Sequence, residues 1–207
     1  MGRSSERYLI QKGLTLEKAG DYEGAVEALL QAAPLVDRQG DERQSAILNF
    51  NLAVTYTHLR RYSDGADHEE KARGFFLDAG DELMVIRCLW LRGRLAAGLG
   101  RVGEARAQLT QARKEFDRLG MSYDVALALL EEAALLLAEG GSSEVKGLTV
   151  ELLRVFDSKG VHREALAALR LFYEAAEREA ATAQLARSLL AFLFRARDDQ
   201  SLHFSES

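Results

Sequence analysis

The chain has 207 residues, 47% of them hydrophobic, enough to bury a sizeable core, and its 32 acidic against 27 basic side chains give a net charge of −5, the wrong sign for a protein that holds nucleic acid by neutralising phosphates. Cys88 is the only cysteine, which excludes an intrachain disulfide and a cysteine-based metal knuckle and fits a reducing, cytoplasmic setting. No run reaches the roughly 18 to 20 uninterrupted apolar residues of a membrane span, and the opening "MGRSSERYLI" lacks the apolar core of a signal peptide, so no membrane contact is expected.

A single proline, Pro34, among long Ala-, Leu-, Glu- and Arg-rich segments predicts helix throughout, and no segment alternates with period two over a strand's length. The first predicted pair, 5–19 and 22–39, has small Gly13 and Ala25 at its crossing, Ala32 and Val36 in its second helix, and closing glycines Gly20 and Gly40. The second pair, 42–59 and 63–79, repeats the pattern 40 residues on with Ala53, Gly65, Ala72, Phe76 and Gly80, and Arg60 stands where a glycine would. The third, 82–99 and 102–119, gives Gly93, Ala105, Ala112, Phe116, Gly100 and Gly120. The fourth, 122–139 and 143–159, keeps Ala133, Phe156, Gly140 and Gly160 but has Val145 and Leu152 where small residues are usual. The fifth, 162–179 and 182–197, diverges, with Tyr173 at the crossing and Ala180 at the hairpin glycine. Asp21, Asp41, Ser63, Asp81, Ser142 and Thr182 are the expected helix caps.

The chain therefore divides into units of about 1–40, 41–80, 81–120, 121–160 and 161–197 with a tail at 198–207, expected as one all-α domain of ten helices in five hairpins. Only Gly or Ala fits where two helices of a hairpin cross closely, which explains the small columns. An array of this kind must cover its last apolar face, so the fifth unit is expected to fold back as an end cap.

The stretch "GLTLEKAGDYEGAVEALLQA", residues 13–32, carries Gly13, Leu16, Gly20, Tyr22, Ala25, Leu29 and Ala32 at the spacing of the tetratricopeptide repeats, which the chain resembles. Leu52, Ala53, Tyr56, Tyr62, Gly65 and Ala72 continue the likeness in the second unit, and Gly93, Gly100, Ala105, Leu109 and Ala112 in the third. The 40-residue period resembles the extended-helix variety found in kinesin light chains, spindle-orientation adaptors and bacterial regulators. The resemblance implies a right-handed α-solenoid whose first helices line a concave, ligand-binding face. It places Gln11, Phe50, Asn51, Val54, His58, Arg87, Trp90 and Arg94 on that face. In such proteins an asparagine ahead of a Leu-Gly or Leu-Ala pair bonds the backbone of a bound peptide, and "NLA", residues 51–53, matches.

Arg87, Trp90 and Arg94 also group by spacing alone, three and four apart on one helix face, and Trp and Arg are the side chains that most often dominate interfaces. Arginines here favour an acidic peptide or a C-terminal carboxylate. Asn49 falls toward the neighbouring hairpin and is expected to bond nearby backbone. Asp64 and His68, four apart, form too small a set for a metal and read as a charged outer face. No nucleophile elbow, phosphate loop or zincin motif is present, so no enzymatic activity, metal or cofactor is expected. The expected function is a non-catalytic module that binds a peptide or helix of a partner protein in its concave groove. One alternative is a ligand- or peptide-sensing regulatory domain of a bacterial signalling or transcription protein. Another is a self-associating scaffold, a homo-oligomer formed through the apolar terminal stretch "LLAFLFRAR", residues 189–197.

Overall fold

A computed structural model describes residues 2–38, 40–152, 155, 161–199 and 201–204. Among them the chain is helical throughout, with no strand: α1 (Gly2–Lys18), α2 (Tyr22–Asp37), α3 (Glu42–His58), α4 (Tyr62–Asp78), α5 (Glu82–Gly98), α6 (Val102–Arg118), α7 (Ser122–Ala138), α8 (Ser142–Thr149), α9 (Arg163–Glu177) and α10 (Ala183–Ala196). This is the all-α, ten-helix architecture of consecutive hairpins that the sequence leads one to expect. No helix among the described residues is long and apolar enough to cross a membrane. The expected Phe156 and Gly160 columns, and the end of the 143–159 helix, lie outside the described residues.

The chain folds as two compact units, Met1–Ala105 and Arg106–Ser207. In the first, each helix from α1 to α5 packs on the next, and α3 also touches both α1 and α5, so the first helices of successive hairpins form one layer. The small columns do what their spacing implies: Ala25, Ala53 and Ala72 are wholly buried. A Cβ added at Gly13 would meet Leu29 Cγ at 2.8 Å, and one at Gly65 would meet Leu95 Cδ2 at 2.7 Å. Around these crossings Val26, Leu29, Val36, Leu48, Leu52 and Tyr56 fill the space between α2 and α3, while Phe76 and Cys88 sit with Ala46 and Ala72 between α3, α4 and α5.

From α1 to α8 each turn between consecutive helices is closed by a residue with positive φ, namely Gly20, Gly40, Gly80, Gly100, Gly120 or Gly140, and at one turn by Arg60. The last left-handed turn falls on Glu179, one residue before the position expected at Ala180. Asp21, Asp41, Asp81 and Thr182 cap their helices through side-chain bonds to the backbone N–H three residues on, at 2.9, 2.9, 3.3 and 3.1 Å. Ser63 and Ser142 do not, because α4 begins at Tyr62 and α8 at Ser142, which places both serines inside the first turn. Helix α8 is interrupted after Thr149, and helical backbone is described again at Leu152 and Val155. There the Thr149 hydroxyl donates to the Lys146 carbonyl at 3.0 Å, a local bond that competes with the helical ladder, and Gly147 just before it lowers helix propensity.

In the second unit α7 is buried continuously from Tyr123 to Ala134, its acidic residues included. Helix α10 lies along it, and α9 packs on α8 and α10. Two ties hold this arrangement. The Tyr123 hydroxyl donates to the Leu193 carbonyl at 2.6 Å, and both Arg197 terminal nitrogens bond the Asp124 carboxylate at 3.0 and 3.3 Å. The apolar side of the terminal stretch, Leu189, Phe192, Leu193 and Ala196, is thus buried within the same chain, as an end cap would be.

Candidate binding face

The residues singled out by sequence sit on α1, α3 and α5, and a subset of them converges. Arg87, Trp90 and Arg94 follow each other along one face of α5. Trp90 is only 9% exposed, and the Arg94 guanidinium lies 5.2 Å from its ring centroid, a cation–π arrangement that holds the charge over the surface. That charge is felt on α3 and, beyond it, on α1. On α3, His58 stacks flat on Tyr22 at 4.6 Å and 5°, and burial, reinforced by Arg94, pushes its pKa down to about 4. The ring is therefore neutral at pH 7. On α1, burial raises the Glu17 carboxyl, opposed by a hydrogen bond with Thr55 and by the positive charge of Arg94. The Asn51 carbonyl, 2.9 Å from the Thr55 hydroxyl, is the second acceptor that shares its proton.

Asn51 is half-buried on α3, and among the described residues its side chain makes no hydrogen bond. It lies seven residues before His58, as Arg87 lies seven before Arg94, so each pair is two turns and about 10.5 Å apart on its helix. Arg87 is half-buried, with its guanidinium 4.0 Å from the Met84 sulfur. Phe50 and Val54 pack partly into the core clusters beneath α3 and α5, which makes them the floor of the face rather than its rim. Gln11 is exposed on α1.

Thr55 belongs to the cluster without having been singled out by sequence, Tyr22 was read only as a repeat residue, and Glu17 was expected to face inward without being selected for binding. Tyr22 was within reach of the repeat: 40 residues on, the Tyr62 ring covers Gly98, so the first residue of a second helix meets the last residue of the next first helix in both places. Thr55 offered no such signal, because its importance comes from a neighbour on α1.

The remaining polar motifs of α3 and α4 are occupied locally. The Asn49 amide nitrogen donates to the Ser45 carbonyl at 2.8 Å, and its oxygen meets His68 Nδ1 at 2.8 Å, as its position facing the neighbouring hairpin suggests. Asp64 pairs with Arg61 at 2.7 Å. Among the described residues no group of three or more His, Cys, Asp or Glu side chains could hold a metal ion. Burial pushes the Cys88 thiol up to about 12, so it stays protonated. No protein-family model matches the chain.

Proposed function

We propose that the face built by α1, α3 and α5 is a peptide-binding groove, and that the protein is a non-catalytic interaction module of the tetratricopeptide-repeat kind. The observation that carries this is Arg94: a half-exposed cation propped on Trp90, whose field reaches a neutral histidine on α3 and, beyond it, a half-buried carboxyl on α1. Rigid helices hold these groups before any ligand arrives, which lowers the ordering cost of binding. Arg94 suits a carboxylate of the ligand, either an acidic side chain or a chain terminus. Asn51, two turns lower, offers both donor and acceptor to a peptide backbone. An extended chain advances about 3.3 Å per residue, so a ligand of roughly three to four residues spans the two levels.

Peptides selected from a random display library against the whole protein provide the test, with affinities read by fluorescence polarisation. Arg94→Ala is expected to weaken the selected peptides by about 1.5–3 kcal/mol, the worth of a hydrogen bond to a charged group, and Asn51→Ala by about 1. Trp90→Ala removes the prop beneath Arg94 and should cost about 2 kcal/mol or more. Unchanged affinity in both Arg94→Ala and Asn51→Ala, each folded by circular dichroism, would rule the groove out.

A further inference from the structure

A cleft of about 230 Å³ opens between α4, α5 and the start of α6, lined by Ala66, Glu69, Arg73, Arg92, Leu95 and Arg101 among others. At about 30 Å³ per water the space suits a group the size of a carboxylate or phosphate. Its polar floor is unusual. The Glu69 side chain is 4% exposed, yet the two guanidinium groups beside it stay beyond hydrogen-bonding reach: Arg73 Nε is 3.6 Å from one carboxylate oxygen and Arg92 Nε 3.8 Å from the other. Glu69 Oε1 and Arg73 Nε are both buried and make no hydrogen bond. A buried charge left so loosely paired is costly.

The repeat shows that a better pairing was available. Forty residues on, Arg113 occupies the column of Arg73 and Glu132 the column of Arg92, and these two bond directly at 3.1 Å with both side chains buried. In the cleft the acidic partner is replaced by a second arginine, so two cations face each other across one shared carboxylate. Both line the cleft and stay partly exposed, 29% for the Arg73 side chain and 36% for that of Arg92.

We propose that this cleft is a second binding site, independent of the groove, which takes an oxyanion, a carboxylate or a phosphate group, between Arg73 and Arg92, with Glu69 as the internal carboxylate that the ligand displaces. Bidentate arginine contacts to such a group are stronger than the loose contacts that Glu69 makes. Protonation of Glu69 removes the competitor. Burial raises this carboxyl to about 7, against the pull of Arg92 and Arg73 and with the help of Glu70. The charged and titratable groups facing it are Glu70 and Arg73 on α4, Cys88 and Arg92 on α5, and Arg101 and Glu104 at the cleft edge. Since the bound state favours neutral Glu69, affinity is greatest below about pH 7 and falls as the pH rises through it.

Calorimetric titration of the full chain with sulfate and, separately, with acetate at pH 6 and 8 tests this. Wild type should bind about tenfold more tightly at pH 6. Glu69→Gln should bind tightly at both pH values, and Arg92→Glu, which restores the pairing seen at Arg113, should lose binding while keeping its fold. Arg94→Ala should leave the titration unchanged, which separates this site from the groove. Preference for sulfate assigns the cleft to phosphate groups, and preference for acetate to carboxylates. A pH ratio that survives in Glu69→Gln, or no saturable binding by wild type at pH 6, overturns the proposal. Should Glu69→Gln not fold, binding that persists in folded Arg92→Glu overturns it equally.

Discussion

Arg60 holds a left-handed backbone, φ 57°, at the kind of turn where six glycines do so elsewhere in the chain. Its N–H bonds the Thr57 carbonyl at 3.1 Å and that of Arg61 bonds Tyr56 at 2.9 Å, the same pair of bonds that Gly80 and Asp81 make one half-repeat on. A side chain at that φ costs about 1 kcal/mol or more, whereas glycine gives back part of the gain through unfolded-chain entropy. Arg60→Gly should therefore stabilise by about 0.5–1 kcal/mol and raise Tm by roughly 1–3 °C; a lower Tm in calorimetry would refute the strain account. His58 acts through protonation instead. Its folded pKa of about 4 lies below the 6.5 of a free imidazole, so as pH falls the unfolded chain takes up the proton first. The stabilisation is complete above about pH 6.5 and is lost toward pH 4, on the order of 2 kcal/mol once partial exposure is allowed for. His58→Phe keeps a flat ring on Tyr22, and denaturant unfolding at pH 4.5 and 7 should show a smaller stability difference than in wild type.

Between elements, what could be read from sequence was whatever recurs every 40 residues. Helix ends in the first unit lie within a residue or two of their expected positions, apart from the start of α1, because glycine or aspartate marks nearly every one. The small crossing columns were legible for the same reason: close helix contact tolerates few side chains, and the chain repeats them. The interruption of α8 after Thr149 was not legible, since it turns on a local threonine bond that no column announces. At the groove, the face of α5 was readable from the spacing of Arg87, Trp90 and Arg94, but the burial of Trp90 was not, and neither was the coupling of Arg94 to Glu17 and His58 across three helices. The change from Arg113–Glu132 to Arg73–Arg92 was visible in the repeat all along. Its meaning needed the burial of Glu69, a residue whose own column holds Leu29 and Leu109.

At the scale of the molecule, the second unit meets the problem of a last apolar face at the end of the chain. Helix α7 buries twelve consecutive residues, Tyr123 to Ala134, far more than the one face a surface helix covers. Part of that cover is α10, whose Leu189, Phe192 and Leu193 are themselves 0–2% exposed and whose fit is fixed at both ends by the Tyr123–Leu193 bond and the Asp124–Arg197 pair. Removing everything after Ala181 would bare leucines of α7, at about 25 cal/mol per Å² of apolar surface exposed, and would leave the buried Asp124 without its arginine. Both losses fall on the second unit, whose stability is on the order of only 5–15 kcal/mol for a domain of its size. Hydrogen exchange on this truncated chain should show α7 and α8 amides losing their protection. Those of α3 and α4, which pack on each other and on α2 and α5, should keep theirs. Retained protection in α7 would mean that the terminal helix is an ornament on a unit already closed without it.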